Sequence, residues 1–248
     1  VATSGGVLLR LNRSTETFDS IKQFGTGDST SLVRLLVSRH GEIWLLSKDG
    51  LILYDPEFEN TEGWVANLNL PTSLGRLHDI LEDASGNIWV GGSLGIARVL
   101  LQKKSFVSFD LETLRLPKNC RVTALEINSE NNLIIGTDTG QLIVWSVDAS
   151  IPLGSSTILQ NTLHYISDFT LYGNVLIIAT DRGLFVSDNH LSFIDAVGEK
   201  GDGLASADVY SLLRDGKYIW VGTIDGLSIL SFTSFDLFNS NNSSVSND

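Results

Sequence analysis

The chain is poor in cysteine, proline, methionine and basic residues, and each scarcity narrows what it can be. One cysteine, Cys120, cannot close an internal disulfide. Four histidines (His40, His78, His164, His190) stand too far apart for metal-ligand spacing, so neither a structural metal nor any other cofactor is expected. Seventeen Lys and Arg against 29 Asp and Glu give a net charge of -12. Such a surface repels phosphate backbones and anionic headgroups, which excludes nucleic acid as a partner. No apolar run approaches the ~20 residues that span a bilayer, so direct membrane insertion of this segment is not expected. Met is absent and the chain starts at Val1, which reads as a mature or excised segment. What remains is an ordinary globular balance: 248 residues, 42% hydrophobic and 19% charged, enough for a sizeable core.

What the sequence does have is a period. "EIWLLSKDGLILYD" (42–55), "NIWVGGSLGIARVL" (87–100), "NLIIGTDTGQLIVW" (132–145), "VLIIATDRGLFVSD" (175–188) and "YIWVGTIDGLSIL" (218–230) share an apolar run, a small-polar turn, a glycine and a second apolar run. "VATSGGVLLRL" (1–11) is a sixth copy without its beginning. The glycines Gly6, Gly50, Gly95, Gly140, Gly183 and Gly226 are 44, 45, 45, 43 and 43 residues apart. A short leader run precedes each complete copy: "LVRLLV" from Leu32, "RLHDIL" from Arg76, "RVTALEI" from Arg121, "YISDFTL" from Tyr165 and "DVYSLL" from Asp208. No stretch keeps the 3.6-residue spacing of an amphipathic helix. About four strands in ~44 residues is the size of one propeller blade.

The expected fold is therefore all-β: a β-propeller of about six four-stranded blades, alone or as part of one with seven or more. The expected layout is a single region, 1–248. A partial blade of two or three strands spans 1–24, repeats span about 25–68, 69–114, 115–157, 158–200 and 201–242, and a further repeat starts at 243–248.

Gly91-Gly92-Ser93-Leu94-Gly95 matches the G-x-S-x-G pattern of a hydrolase nucleophile elbow, but an elbow needs a helix after the serine. Here a glycine and another strand follow, so Ser93 reads as a hairpin-turn residue, with no histidine expected within hydrogen-bond reach. "FGTGDST" (24–30) and "GEKGDGLAS" (198–206) are glycine-rich but lack the Lys-Ser/Thr ending of a phosphate loop, and read as inter-blade loops. Trp44, Trp89 and Trp220 share one repeat position with Ile134 and Ile177, a position expected to pack between blades.

Candidate binding residues come from the leaders. Flanking a fixed apolar position (Val33, Leu77, Val122, Ile166, Val209) are Leu32 and Arg34, Arg76 and His78, Arg121 and Thr123, Tyr165 and Ser167, Asp208 and Tyr210. The two-residue strand period puts each pair on one face. With the leader innermost, Arg34, Arg76, His78, Arg121, Tyr165, Asp208 and Tyr210 would ring one end of a central channel. Such a ring suits an acidic or hydroxyl-rich small ligand, through bidentate Arg bonds and Tyr stacking. The alternative is a water-filled channel lined by solvated polar residues.

The units "VTALEINSENNLIIGTDTGQL" (122–142), "LHDILEDASGNIWVGGSLGI" (77–96) and "GLASADVYSLLRDGKYIWVGTIDGLSIL" (203–230) resemble two-component regulator propeller repeats. Copies centred on 134 and 177 lack the tryptophan, and "SSVSND" (243–248) resembles "GLASAD" (203–208). The resemblance implies the periplasmic sensor propeller of an inner-membrane signalling receptor, a histidine kinase or GGDEF diguanylate cyclase, with no catalysis in this segment. It implies a small-molecule ligand, glycan-derived or anionic, and a homodimer formed through the parent protein. The other classes are a protein-interaction or dimerisation propeller without a small ligand, and a propeller hydrolase or lyase.

Overall fold

The computed structural model describes residues 2–3, 5–24, 32–47, 50–54, 66–68, 72–100, 105–157, 164–198 and 203–231. Strands β1 (Val7–Asn12) and β2 (Thr17–Gln23) form a hairpin. The first blade is β3 (Leu32–Val37), β4 (Ile43–Ser47), β5 (Leu51–Tyr54) and β6 (Ala66–Leu68). The second is β7 (Leu77–Glu82), β8 (Ile88–Gly92), β9 (Gly95–Leu100) and β10 (Ser105–Asp110). The third is β11 (Val122–Ile127), β12 (Asn132–Thr137), β13 (Gln141–Ser146) and β14 (Ile151–Thr157). The fourth is β15 (Ile166–Tyr172), β16 (Val175–Thr180), β17 (Gly183–Asp188) and β18 (Ile194–Gly198). The fifth is β19 (Val209–Asp215), β20 (Tyr218–Thr223) and β21 (Gly226–Ser231). Every pairing is antiparallel between sequence neighbours.

The expected count of about six blades, or of seven and more, is corrected to five: four sheets of four strands and one of three among the described residues. Within 1–24 the described residues form a two-stranded hairpin. Glycine turns mark hairpins, whereas a blade also needs a leader strand, and the described residues hold five leaders: β3, β7, β11, β15 and β19. The proposed start of a further repeat, 243–248, lies outside the described residues.

The chain divides into two compact units, Val1–Thr157 and Ile158–Asp248. In the first, Leu8 and Phe24 of the hairpin pack on Leu32, Leu45 and Tyr54. Trp44, Leu46 and Leu51 of the first blade meet Leu77, Ile88 and Val90 of the second, and Trp89 and Ile96 of the second meet Val122, Leu133 and Trp145 of the third. In the second unit Ile177, Ala179 and Val186 meet Val209, Ile219 and Val221. β8 is buried throughout and β12 nearly so, which explains why both read as continuous apolar runs rather than alternating ones. At the shared Trp/Ile position Trp44, Trp89, Ile134 and Ile177 are fully buried and Trp220 half-buried.

All five leaders carry a β-bulge at their start. Pairing jumps from Leu32 to Arg34, Leu77 to Asp79, Val122 to Ala124, Ile166 to Asp168 and Val209 to Ser211. The skipped residues are Val33, His78, Thr123, Ser167 and Tyr210. The residue after the bulge can brace blades. Asp79 accepts the N–H of Ile80 through Oδ1 and, through Oδ2, the N–H of Leu125 in the next blade at 2.8 Å. Asp168 repeats this with Phe169 and, at 2.9 Å, Leu212.

Candidate functional site

The bulges fix the register of the candidate residues. In the first repeat the structure puts Leu32, not Val33, at the fixed apolar position, because Leu32, Leu77, Val122, Ile166 and Val209 all pair with the last residue of the following strand. Both Leu32 and Val33 are apolar, so composition alone gave no reason to prefer either. Arg34 accordingly matches Asp79, and the two form an ion pair, Nε to Oδ1 at 3.3 Å. Arg34 belongs to the brace between the first two blades.

Arg76, Arg121, Tyr165 and Asp208 immediately precede their leaders and repeat one backbone contact. Each carbonyl accepts the N–H of a turn residue between the second and third strands of its own blade: Ser93 at 2.8 Å, Asp138 at 3.0 Å, Asp181 at 3.2 Å and Ile224 at 3.1 Å. The turn side chains add to this latch. The Ser93 hydroxyl donates to the Arg76 carbonyl at 3.1 Å. Asp138 accepts both the backbone N–H and the Nε–H of Arg121 at 2.7 Å, and Asp181 accepts the N–H of Tyr165 at 3.0 Å. Residue type alone marks these positions only as turn-formers. The signal that marks them is their constant separation of 16 or 17 residues from the position before the leader.

In the first unit the latch end of β7 and β11 gathers Arg76, His78 and Arg121, with Asp138 beside them. Arg76 is exposed and, among the described residues, pairs with no carboxylate. His78 is half-buried, with Nε2 3.0 Å from Ser93 Oγ. Burial lowers its pKa below 6.5, the charges of Arg76 and Arg121 lower it further, and Asp138 partly opposes them. Here the expectation for Ser93 is corrected: a histidine does lie within reach, brought there by the bulge that re-aims residue 78.

The surroundings are nevertheless those of a hairpin. β9 follows Ser93 where an elbow has a helix. When the single hydroxyl hydrogen is directed to the Arg76 carbonyl, Nε2–H of His78 donates to Ser93; in the other tautomer Nε2 accepts from the hydroxyl. Among the described residues no carboxylate is hydrogen-bonded to His78 to orient it as a base. Gly95, at φ +151°, closes the turn, and a Cβ there would lie 2.1 Å from the Phe109 carbonyl oxygen.

In the second unit Tyr165 is exposed beside Asp181. The Tyr210 hydroxyl donates to Asp208 at 3.0 Å, and this bond raises its pKa above the ordinary phenol value. Cys120, just before Arg121, is held as a thiol by burial, its pKa pushed up to about 11.

No family model and no curated protein sequence matches the chain. Many solved structures do resemble it. The extracellular domain of the one-component system BT4673 from B. thetaiotaomicron superimposes with a TM-score of 0.73 at 20% identity over 94% of this chain and 31% of that one. Virginiamycin B lyase from Staphylococcus aureus gives 0.73 at 13% identity over 92% and 74%, and the RRP9 WD40 repeats give 0.69 at 11% over 93% and 75%. The chain thus spans 31–38% of the BT4673 extracellular domain. At these identities the shared feature is the fold, an all-β propeller.

Proposed function

We propose that this chain is the ligand-sensing propeller of a bacterial signalling receptor, located outside the inner membrane and performing no catalysis itself. The observation that carries the reading is the cluster of Arg76, His78 and Arg121 at one end of neighbouring leaders, where Arg76 adds a positive charge beside the Arg121–Asp138 ion pair in a protein of net charge -12. Such a local reversal of sign suits a small acid, a glycan-derived uronate included. Tyr165, Asp208 and Tyr210 are the corresponding positions of the second unit. The likeness to the extracellular domain of BT4673 supports this role, with the output domain, a kinase or diguanylate cyclase, elsewhere in the parent. A second reading, a protein-interaction or dimerisation propeller, draws on the apolar side chains Leu213, Ile224 and Leu227 exposed in the fifth blade.

The test is calorimetric titration with glucuronate. Arg76→Ala should weaken binding at least about tenfold, the scale of one charge-assisted hydrogen bond, with an unchanged unfolding midpoint, since among the described residues the Arg76 side chain pairs with no carboxylate. Arg121→Ala is a poorer probe because it leaves Asp138 without its cation. Undiminished glucuronate binding by Arg76→Ala removes this site, and no glucuronate binding at all favours the second reading.

A further inference from the structure

At the opposite end of the leaders, the same turn occurs in three blades with different chemistry. In the second blade Asp83 accepts the N–H groups of Ser85 and Asn87, the Asn87 amide, and the indole N–H of Trp89 at 2.9 Å. In the third, Asn128 accepts the N–H groups of Glu130 and Asn132. In the first, Ser38 stands where Asp83 does, closing the same turn through its N–H to the Glu42 carbonyl, and Glu42 stands where Asn87 does. Among the described residues the serine hydroxyl reaches only Glu42, at 3.2 Å. Trp44, the counterpart of Trp89, is therefore buried with an indole N–H that has no hydrogen-bond partner among the described residues. An unsatisfied buried donor is destabilising and calls for an explanation.

The same residues line a pocket of about 490 Å³, with Ser38, His40, Glu42 and Trp44 on one side and Glu82, Asn87, Ile88 and Val99 on the other. Its two carboxylates are not equivalent. Glu82 is neutralised, both oxygens being taken by the backbone N–H and Nε–H of Arg39 at 2.8 and 2.7 Å. Glu42 faces no cation among the described residues. The pocket thus offers one uncompensated negative charge, one orphan donor where the neighbouring blade has a carboxylate oxygen, and an apolar wall.

We propose that this pocket is a second binding site, for a small primary amine carrying a neighbouring hydroxyl or carbonyl oxygen. The ammonium group pairs with Glu42, and the oxygen takes the place that Asp83 fills beside Trp89, satisfying the Trp44 indole. The Asp-to-Ser and Asn-to-Glu departures from the repeat account for both halves of this recognition: one removes the internal acceptor, the other installs the charge.

D-glucosamine is a suitable probe, with D-glucose as its neutral counterpart. Calorimetry should show saturable glucosamine binding, at least about tenfold weaker for glucose and for the Glu42→Gln variant, the scale of one charge-assisted bond. In ¹⁵N-labelled protein the indole signal assigned to Trp44, by its loss in Trp44→Phe, should shift on addition of glucosamine. The double variant Ser38→Asp, Glu42→Asn rebuilds the second blade's turn, so it should abolish glucosamine binding and raise the unfolding midpoint. No saturable binding, equal binding of glucose, an unmoved Trp44 signal, or binding that survives Glu42→Gln or the double variant would each overturn the proposal.

Discussion

His78 shows how much one side chain's surroundings decide. Burial first, and then the neighbouring Arg76 and Arg121, hold its pKa below 6.5 in the folded protein, against the partial pull of Asp138. In the unfolded chain it titrates near 6.5. As pH falls through about 6.5 the unfolded state takes up a proton that the folded state does not, so stability is lost until the lower folded pKa is reached. His164, also lowered by burial, acts in the same direction, so the prediction is a difference. Between about pH 7.5 and 5.5 the unfolding midpoint of His78→Asn should fall less than that of the parent, and equal falls would show that His78 is not a source of the pH dependence. None of this could be read from "RLHDIL": the contact with Ser93 spans 15 residues and depends on a bulge that no residue type announces.

At the level of elements, strands and hairpins were legible because glycine turns and apolar runs obey local rules. The leaders' bulges and their consequences were not, since a register is a property of two strands. A one-residue offset hidden in "LVRLLV" aligns Arg34 with His78 in the sequence, and the pairing places it at the Asp79 brace. That brace carries its own prediction. Asp79 is nearly buried, spends both oxygens on backbone N–H groups in two blades, and faces Arg34. Asp79→Ala strands a buried N–H of Leu125 and deprives Arg34 of this carboxylate, and should cost about 3 kcal/mol in urea denaturation. Asp79→Asn, which keeps one acceptor for Leu125, should cost less. A loss under about 1 kcal/mol for the alanine variant would mean that the blades are held by apolar packing alone.

Over the whole molecule the repeated architecture hides an unequal distribution of burial, and this decides where the chain opens first. In the first four blades the residue after the turn glycine is buried wherever it is apolar: Leu51, Ile96 and Leu184 are at most 1% exposed, whereas Leu227 of the fifth blade is 62% exposed. Two residues further on, Leu53, Ile143 and Val186 are at most 4% exposed and Ile229 is 51% exposed. Since apolar burial supplies roughly 25 cal/mol per Å², the outer face of the fifth blade contributes far less than its counterparts. Repeat proteins in which each unit contacts only its neighbours need not unfold as one body. Hydrogen exchange should therefore protect β12 and β13, whose residues are almost all buried, well beyond β19 and β21. Exchange at one common rate across all five blades would show that opening is global, and that the exposed face of the fifth blade sets no local weak point.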